Sequence, residues 1–140
     1  MDKERITSLL AFLDKYYDEL KQQIPHSYNE YTKNIGKKRS CERLLQLLIE
    51  VCIDIFQKIS KELKLGLLSE EEGIFNQLVE KQIISEEMAG ILKEMKSFRN
   101  VLIHHYVNIN DEQVYENLTK NKKDFQDFKK EIVSYLKEYK

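Results

Sequence analysis

What this chain has little of already excludes several classes of protein. One proline and four glycines among 140 residues leave long helices unbroken and provide no Gly-rich phosphate loop. Tryptophan is absent. The only cysteines are Cys41 and Cys52, too few for a disulfide scaffold. On one helix they lie about 16 Å apart along the axis, beyond the reach of a bridge. Both fall in an apolar stretch and read as reduced, buried thiols, not as nucleophiles. No run of about 18 apolar residues offers a membrane span. Charge of either sign is not in excess: the net value is −1, so no global field draws nucleic acid. Metal-ligand spacings are missing too, with neither HExxH nor a Cys–His cluster, and no metal site is expected. The opening residues MDKERITSLL lack the basic-then-apolar layout of a secretory signal, so the expected location is the cytoplasm.

What is present is helical periodicity. Hydrophobic residues make up 41% and charged ones 34%, a mix suited to a single globular helical domain over residues 1–140. Ile6, Leu9, Leu10, Leu13, Tyr17, Leu20 and Ile24 predict a helix over Lys3–Ile24, stopped by Pro25. The polar stretch HSYNEYTKNIG reads as a connection with room for a helical turn. The strongest helix is predicted over Lys37–Leu63, where Gln46, Glu50, Asp54 and Lys58 form a narrow polar strip in a wide apolar arc. Such an arc fits a central helix or a dimer seam. Gly66 is the expected C-terminal cap, and Ser69 with Glu72 resembles a capping box for a short helix Glu70–Lys81. Ser85 opens the next helix, and Asp111 is the expected N-cap of a last one over Glu112–Tyr139. No strand alternation competes. The fold class is all-α, an up-and-down bundle of four main helices plus a short one.

Charge is unevenly placed along the chain. Lys33–Arg43 holds five basic residues against one acid, and Lys120–Lys140 seven lysines against four acids. Between Glu62 and Glu87 seven acids face two lysines. Solvated helix faces account for such runs as well as a basic surface does.

The stretch SFRNVLIHHYVN, residues 97–108, ends an otherwise apolar helix with an arginine, two histidines and a tyrosine. Arg99 is permanently cationic and presents a planar fork to phosphate oxygens. Histidine gives and takes protons near neutral pH. Together Arg99 and His104 suit phosphodiester cleavage, His104 handling the proton and Arg99 the charge on phosphorus. RNA brings its own nucleophile, the 2′-hydroxyl, so no metal is needed. Cations at a helix C-terminus are also favoured by the helix dipole alone. On a regular helix Asn100 and His104 share a face, as do Arg99 and Tyr106, whereas Arg99 and His104 point about 140° apart. Either the helix loosens near His104, or a second copy completes the site.

The run Arg99-Asn100-Val101-Leu102-Ile103-His104-His105-Tyr106 matches R-N-x3-H-x-Y and resembles the motif of the HEPN superfamily, in the form found in HepT-type toxins. The segment RSCERLLQLLIEVCIDI is similar to the second-helix block of those proteins, and GIFNQLVEKQIIS followed by the Arg99 helix also fits. The resemblance spans residues 3–138. It implies a dimerising helical bundle whose two R-x4-H segments line one cleft as a metal-independent endoribonuclease. Carried onto this chain, Arg99 and His104 are the catalytic pair and Asn100 a supporting group. It also implies a cognate MNT-type nucleotidyltransferase antitoxin that uses ATP and Mg²⁺ to attach AMP to Tyr106, with no cofactor on this chain itself. The alternative is a non-catalytic HEPN subunit that binds substrate for a nucleotidyltransferase. Tyr115 and the Lys-rich final helix are candidates for holding RNA, and Glu42 with Arg43 reads as a structural ion pair.

Overall fold

The computed structural model describes residues 2–64 and 71–138, with the side chains of Glu71, Glu72 and Tyr106 outside the description. Helix α1, Lys3–Gln23, starts where the Asp2 carboxylate accepts from the Arg5 amide at 2.9 Å. It buries Ile6, Leu9, Leu10, Leu13 and Leu20. The expected polar connection contains a helix of its own, α2, Tyr28–Lys33. Ser27 caps it, its hydroxyl accepting from the Glu30 amide, while Glu30 reaches back to the His26 amide. That reciprocal arrangement is a capping box shifted by one residue.

Helix α3, Ile35–Glu62, is the axis of the molecule. It starts two residues earlier than the periodicity predicts, because Asn34 accepts from the Lys37 amide at 3.0 Å and caps it there. Its apolar arc is buried within this chain: Leu48, Cys52, Ile55, Phe56 and Ile59 are each 0% exposed. Phe56 packs on Phe75 of the short helix α4, Glu71–Glu80, with ring centroids 4.8 Å apart. Beyond α3 it is Lys64 that takes a left-handed φ of 59°. Gly66, Ser69 and Glu70 lie outside the described residues, and with them the expected cap and capping box.

Ser85 caps α5, Glu86–His104, and is itself gripped by Glu131, which accepts from its amide and its hydroxyl. A 3-10 turn follows over Tyr106–Asn108. The single last helix expected from the periodicity is two, α6 (Asp111–Thr119) and α7 (Lys123–Glu138). The run Lys120-Asn121-Lys122 has no apolar side chain to anchor another helical turn, and the Asn121 carbonyl accepts from the Asp124 amide instead. The cap of α6 is Asn110, not Asp111, which is its first helical residue.

The four long helices α1, α3, α5 and α7 form the bundle, and α2, α4 and α6 pack around its ends. Alternate helices run antiparallel. The Asp2 amide donates to the Glu62 carboxylate at 2.7 Å, joining the start of α1 to the end of α3. Lys38 pairs with Asp111 at 2.8 Å, joining the start of α3 to the start of α6. The end of α5 therefore opens onto the same pole as the start of α3. Among the described residues no helix is long and apolar enough to cross a membrane.

Candidate ribonuclease site

Two of the sequence-picked residues meet directly. Arg99 and Asn100 lie half-buried on the last two turns of α5, and Arg99 Nη2 donates to Asn100 Oδ1 at 3.1 Å. Arg99 Nε is buried without a hydrogen-bond partner. A guanidinium is a rigid fork whose remaining donors want acceptors. The Tyr31 hydroxyl and Gln77 Oε1 are likewise buried without a partner, and such atoms stand open to water or to a second molecule.

His104 is the last residue of α5, and its side chain is exposed. The helix does not loosen ahead of it: the His105 amide still donates to the Val101 carbonyl at 3.0 Å. Arg99 and His104 therefore keep their five-residue offset, about 140° around the axis. One chain does not bring them together. Asn100 and His104 do share a face, four residues apart on one helix. The expected facing of Arg99 and Tyr106 presumes one continuous helix, and the helix stops at His104, with Tyr106 beginning the 3-10 turn. The Tyr106 side chain lies outside the described residues.

Around Arg99 the structure adds residues that motif reading passed over. Asp54 of α3 is exposed. Partial burial raises its carboxyl from the usual carboxylate range, Glu50 adds to the rise, and Arg5 of α1 and Arg99 oppose it. Glu50 in turn accepts from Gln46 at 3.1 Å. The polar strip on α3 thus leads along the bundle toward Arg99, and its four-residue spacing was the available signal. Other candidates turn out to be architecture. Glu42 pairs with Arg39, at 2.9 and 3.0 Å, and not with Arg43, which is exposed. Three residues apart, Arg39 and Glu42 lie over one another on the helix. Tyr115 donates to the Pro25 carbonyl and packs against Tyr28 and Tyr31, so it fastens α6 to α2. Among the described residues no group of three or more His, Cys, Asp or Glu is gathered to hold a metal ion.

The pole around His104 also carries uncovered apolar surface. Val107 is 81% exposed and Ile35 69%, with Ile103 and Tyr28 less so. Among the described residues these are four of five large hydrophobics left in solvent. All four belong to segments at one end of the bundle, which makes that end the candidate contact surface.

Comparison with known proteins gives the family and the fold. The family described as ribonuclease HepT-like matches residues 13–132. A tRNA nuclease HepT from Aphanizomenon flos-aquae is 30% identical over 131 residues, covering 94% of this chain and 89% of that one. An mRNA nuclease HepT from Shewanella oneidensis is 26% identical over 107 residues, covering 76% of this chain and 80% of that one. Among solved structures, a tri-AMPylated Shewanella oneidensis HEPN toxin in complex with its MNT antitoxin superposes with a TM-score of 0.82 at 24% identity. That match covers 92% of this chain and 96% of the toxin.

Proposed function

This chain belongs to the ribonuclease HepT-like family and is an endoribonuclease, and from that premise we propose that it is the toxin of a toxin–antitoxin pair, cutting RNA without a metal in a cleft built by two copies of the chain. The observation that carries this reading is the regular helix through His104. With Arg99 and His104 about 140° apart on it, Arg99 of one copy works with His104 of a second across a twofold interface. The uncovered apolar pole around Ile103 and Val107 supplies surface for that contact.

The roles follow from residue chemistry. Arg99, steadied by Asn100, stabilises the charge that builds on the phosphorus oxygens. His104 manages the proton of the reacting oxygens. The 2′-oxygen bonds to phosphorus, the P–O5′ bond breaks, and the proton lost by the 2′-hydroxyl is balanced by one gained at the 5′-oxygen. Tyr106, in the turn directly after the catalytic helix, is the off-switch. An MNT-type nucleotidyltransferase partner, using its own ATP and Mg²⁺, transfers AMP to the phenol. The added bulk and phosphate charge at the end of the catalytic helix then compete with RNA. The tri-AMPylated state of the Shewanella toxin supports this reading.

The test is cleavage of RNA by the purified chain in excess EDTA. Wild type cuts, while Arg99→Ala and His104→Ala each fall by about 10²–10³-fold with unchanged thermal unfolding. Cleavage by Arg99→Ala at the wild-type rate overturns the assignment. Intact mass after co-expression with an MNT-type nucleotidyltransferase rises by whole AMP units, and Tyr106→Phe abolishes the rise. An unshifted wild-type mass removes Tyr106 from the switch.

A further inference from the structure

A half-open cavity of about 420 Å³ lies between α5 and the α6–α7 pair. Its floor is apolar, formed by Leu45 and Ile49 of α3, Met95 and Phe98 of α5, and Phe125 of α7. Its rim is polar: Gln113 and Asn117 of α6, Asn121 in the following turn, Asp124 of α7, and Lys93, Glu94 and Ser97 of α5. The three amides follow one another at four-residue steps. Asn121 Nδ2 donates to Asn117 Oδ1 at 2.8 Å, which leaves the Asn117 amino group and the Asn121 carbonyl as a donor and an acceptor at the mouth. Phe98 precedes Arg99 directly, and Val101, also in the wall, lies one helical turn before His104.

We propose that this cavity is a base-recognition subsite for the RNA substrate, taking one unstacked base that carries an exocyclic amino group. The proposal rests on the ribonuclease reading above. The volume lies in the range of a small-molecule site, with an apolar body and a few convergent polar groups. Single-stranded RNA is read in this way, a splayed base stacking on aromatic rings while its edge hydrogen-bonds to side chains. Here the apolar floor, with half-buried Met95 beside the buried Phe98 and Phe125, seats the base, and Asp124 with the Asn117–Asn121 pair reads the edge.

Charge chooses which part of the RNA enters. The Asp124 carboxyl is pushed up by burial, then by Asp127, Glu94 and Glu87, with Lys123 opposing. Lys93, also in the lining, offsets part of this acidic charge, and the carboxylates that outnumber it disfavour phosphate and favour neutral hydrogen-bond donors. A carboxylate accepts well from a base amino group, and adenine, cytosine and guanine each have one. Uracil has none. Because the wall shares α5 with Arg99 and His104, the base read and the phosphate cut belong to neighbouring nucleotides of one strand.

Two measurements decide. In the first, the four free nucleosides are titrated, up to millimolar, onto the purified chain while the Asn117 and Asn121 side-chain amide resonances are followed. Adenosine, cytidine and guanosine shift them, and uridine binds about tenfold more weakly. In the second, wild type cuts a randomised RNA pool with at least about a tenfold preference for an amino-bearing base at one fixed position. The isosteric Asp124→Asn brings that preference close to unity, and Asn117→Ala lowers it. Equal shifts by uridine, silent resonances, or a cut pattern unchanged by Asp124→Asn overturns the subsite. So does shielding of both amides by a second copy in the dimer. If Arg99→Ala cuts like wild type, the ribonuclease assignment falls by itself, and the nucleoside titration still judges the cavity.

Discussion

The middle of α3 and the end of α5 are built to opposite rules. Around Cys52 the inward face of α3 is apolar and closed to water, with Ile55, Phe56 and Ile59 at 0% exposure. The one hydroxyl there, on Ser60, is satisfied by the Phe56 carbonyl at 2.8 Å. Around His104 the pattern reverses. Apolar Val107 and Ile103 face solvent while polar Arg99 Nε is buried without a partner. The first region is complete within one chain. The second leaves uncovered hydrophobics at the same end of the bundle as a donor without a partner, the pattern that the proposed second copy would complete. Stability and function are therefore separated along the bundle, and substitutions should separate with them.

The largest effect on folding is expected from Phe56→Ala. Loss of a fully buried ring that packs on Phe75 costs about 3–5 kcal/mol, read from the urea midpoint. His104→Ala, in the exposed region, shifts the same midpoint by no more than about 0.5 kcal/mol. Equal costs would dissolve the contrast.

The thiols sharpen it through pH. Burial pushes Cys41 from an ordinary value of 9.0 up to about 11, with Glu42 adding to the rise and Lys37 opposing it. Cys52 is pushed up by burial as well. A raised folded-state pKa means the unfolded chain loses its proton first. The contribution of Cys41 is whole below pH 9 and is lost as pH climbs toward 11. Unfolding free energy should decline across that window, and less steeply in Cys41→Ala. At pH 8 neither thiol should react with a disulfide reagent until denaturant is added.

Smaller still is the cap of α3. Asn34→Ala removes the acceptor for the Lys37 amide and costs about 1 kcal/mol. Lys21→Ala, whose contact with Asp18 is exposed at 3.4 Å, changes the midpoint by less than about 0.5 kcal/mol. A large loss there would place stability on the surface and not in the α3 core.

The same division explains what was legible in the sequence. Helices α1, α3 and α5 follow from apolar spacing because burial imposes a 3.6-residue period on them, and the Ser85 cap follows from its own side chain. The α2 helix was hidden because only Tyr31 is buried in it, too little to set a period. The α6–α7 break was hidden because Leu118 and Phe125 stay seven apart across it, in phase with one continuous helix. Arg99, Asn100 and His104 were visible as a motif. Their relation was not, because it depends on where α5 stops, and the caps that decide this are local hydrogen bonds. Asp54 comes within electrostatic reach of Arg5 and Arg99 only through packing between helices.

The central claim is that Arg99 of one copy works with His104 of another. Arg99→Ala and His104→Ala chains, each inactive alone, should be mixed, allowed to exchange and assayed on RNA. The account predicts recovery to about a quarter of the wild-type rate, since half of the dimers are then mixed and each keeps one of two symmetry-related pairings. A mixture as inactive as its components, with exchange verified by mass, would contradict it.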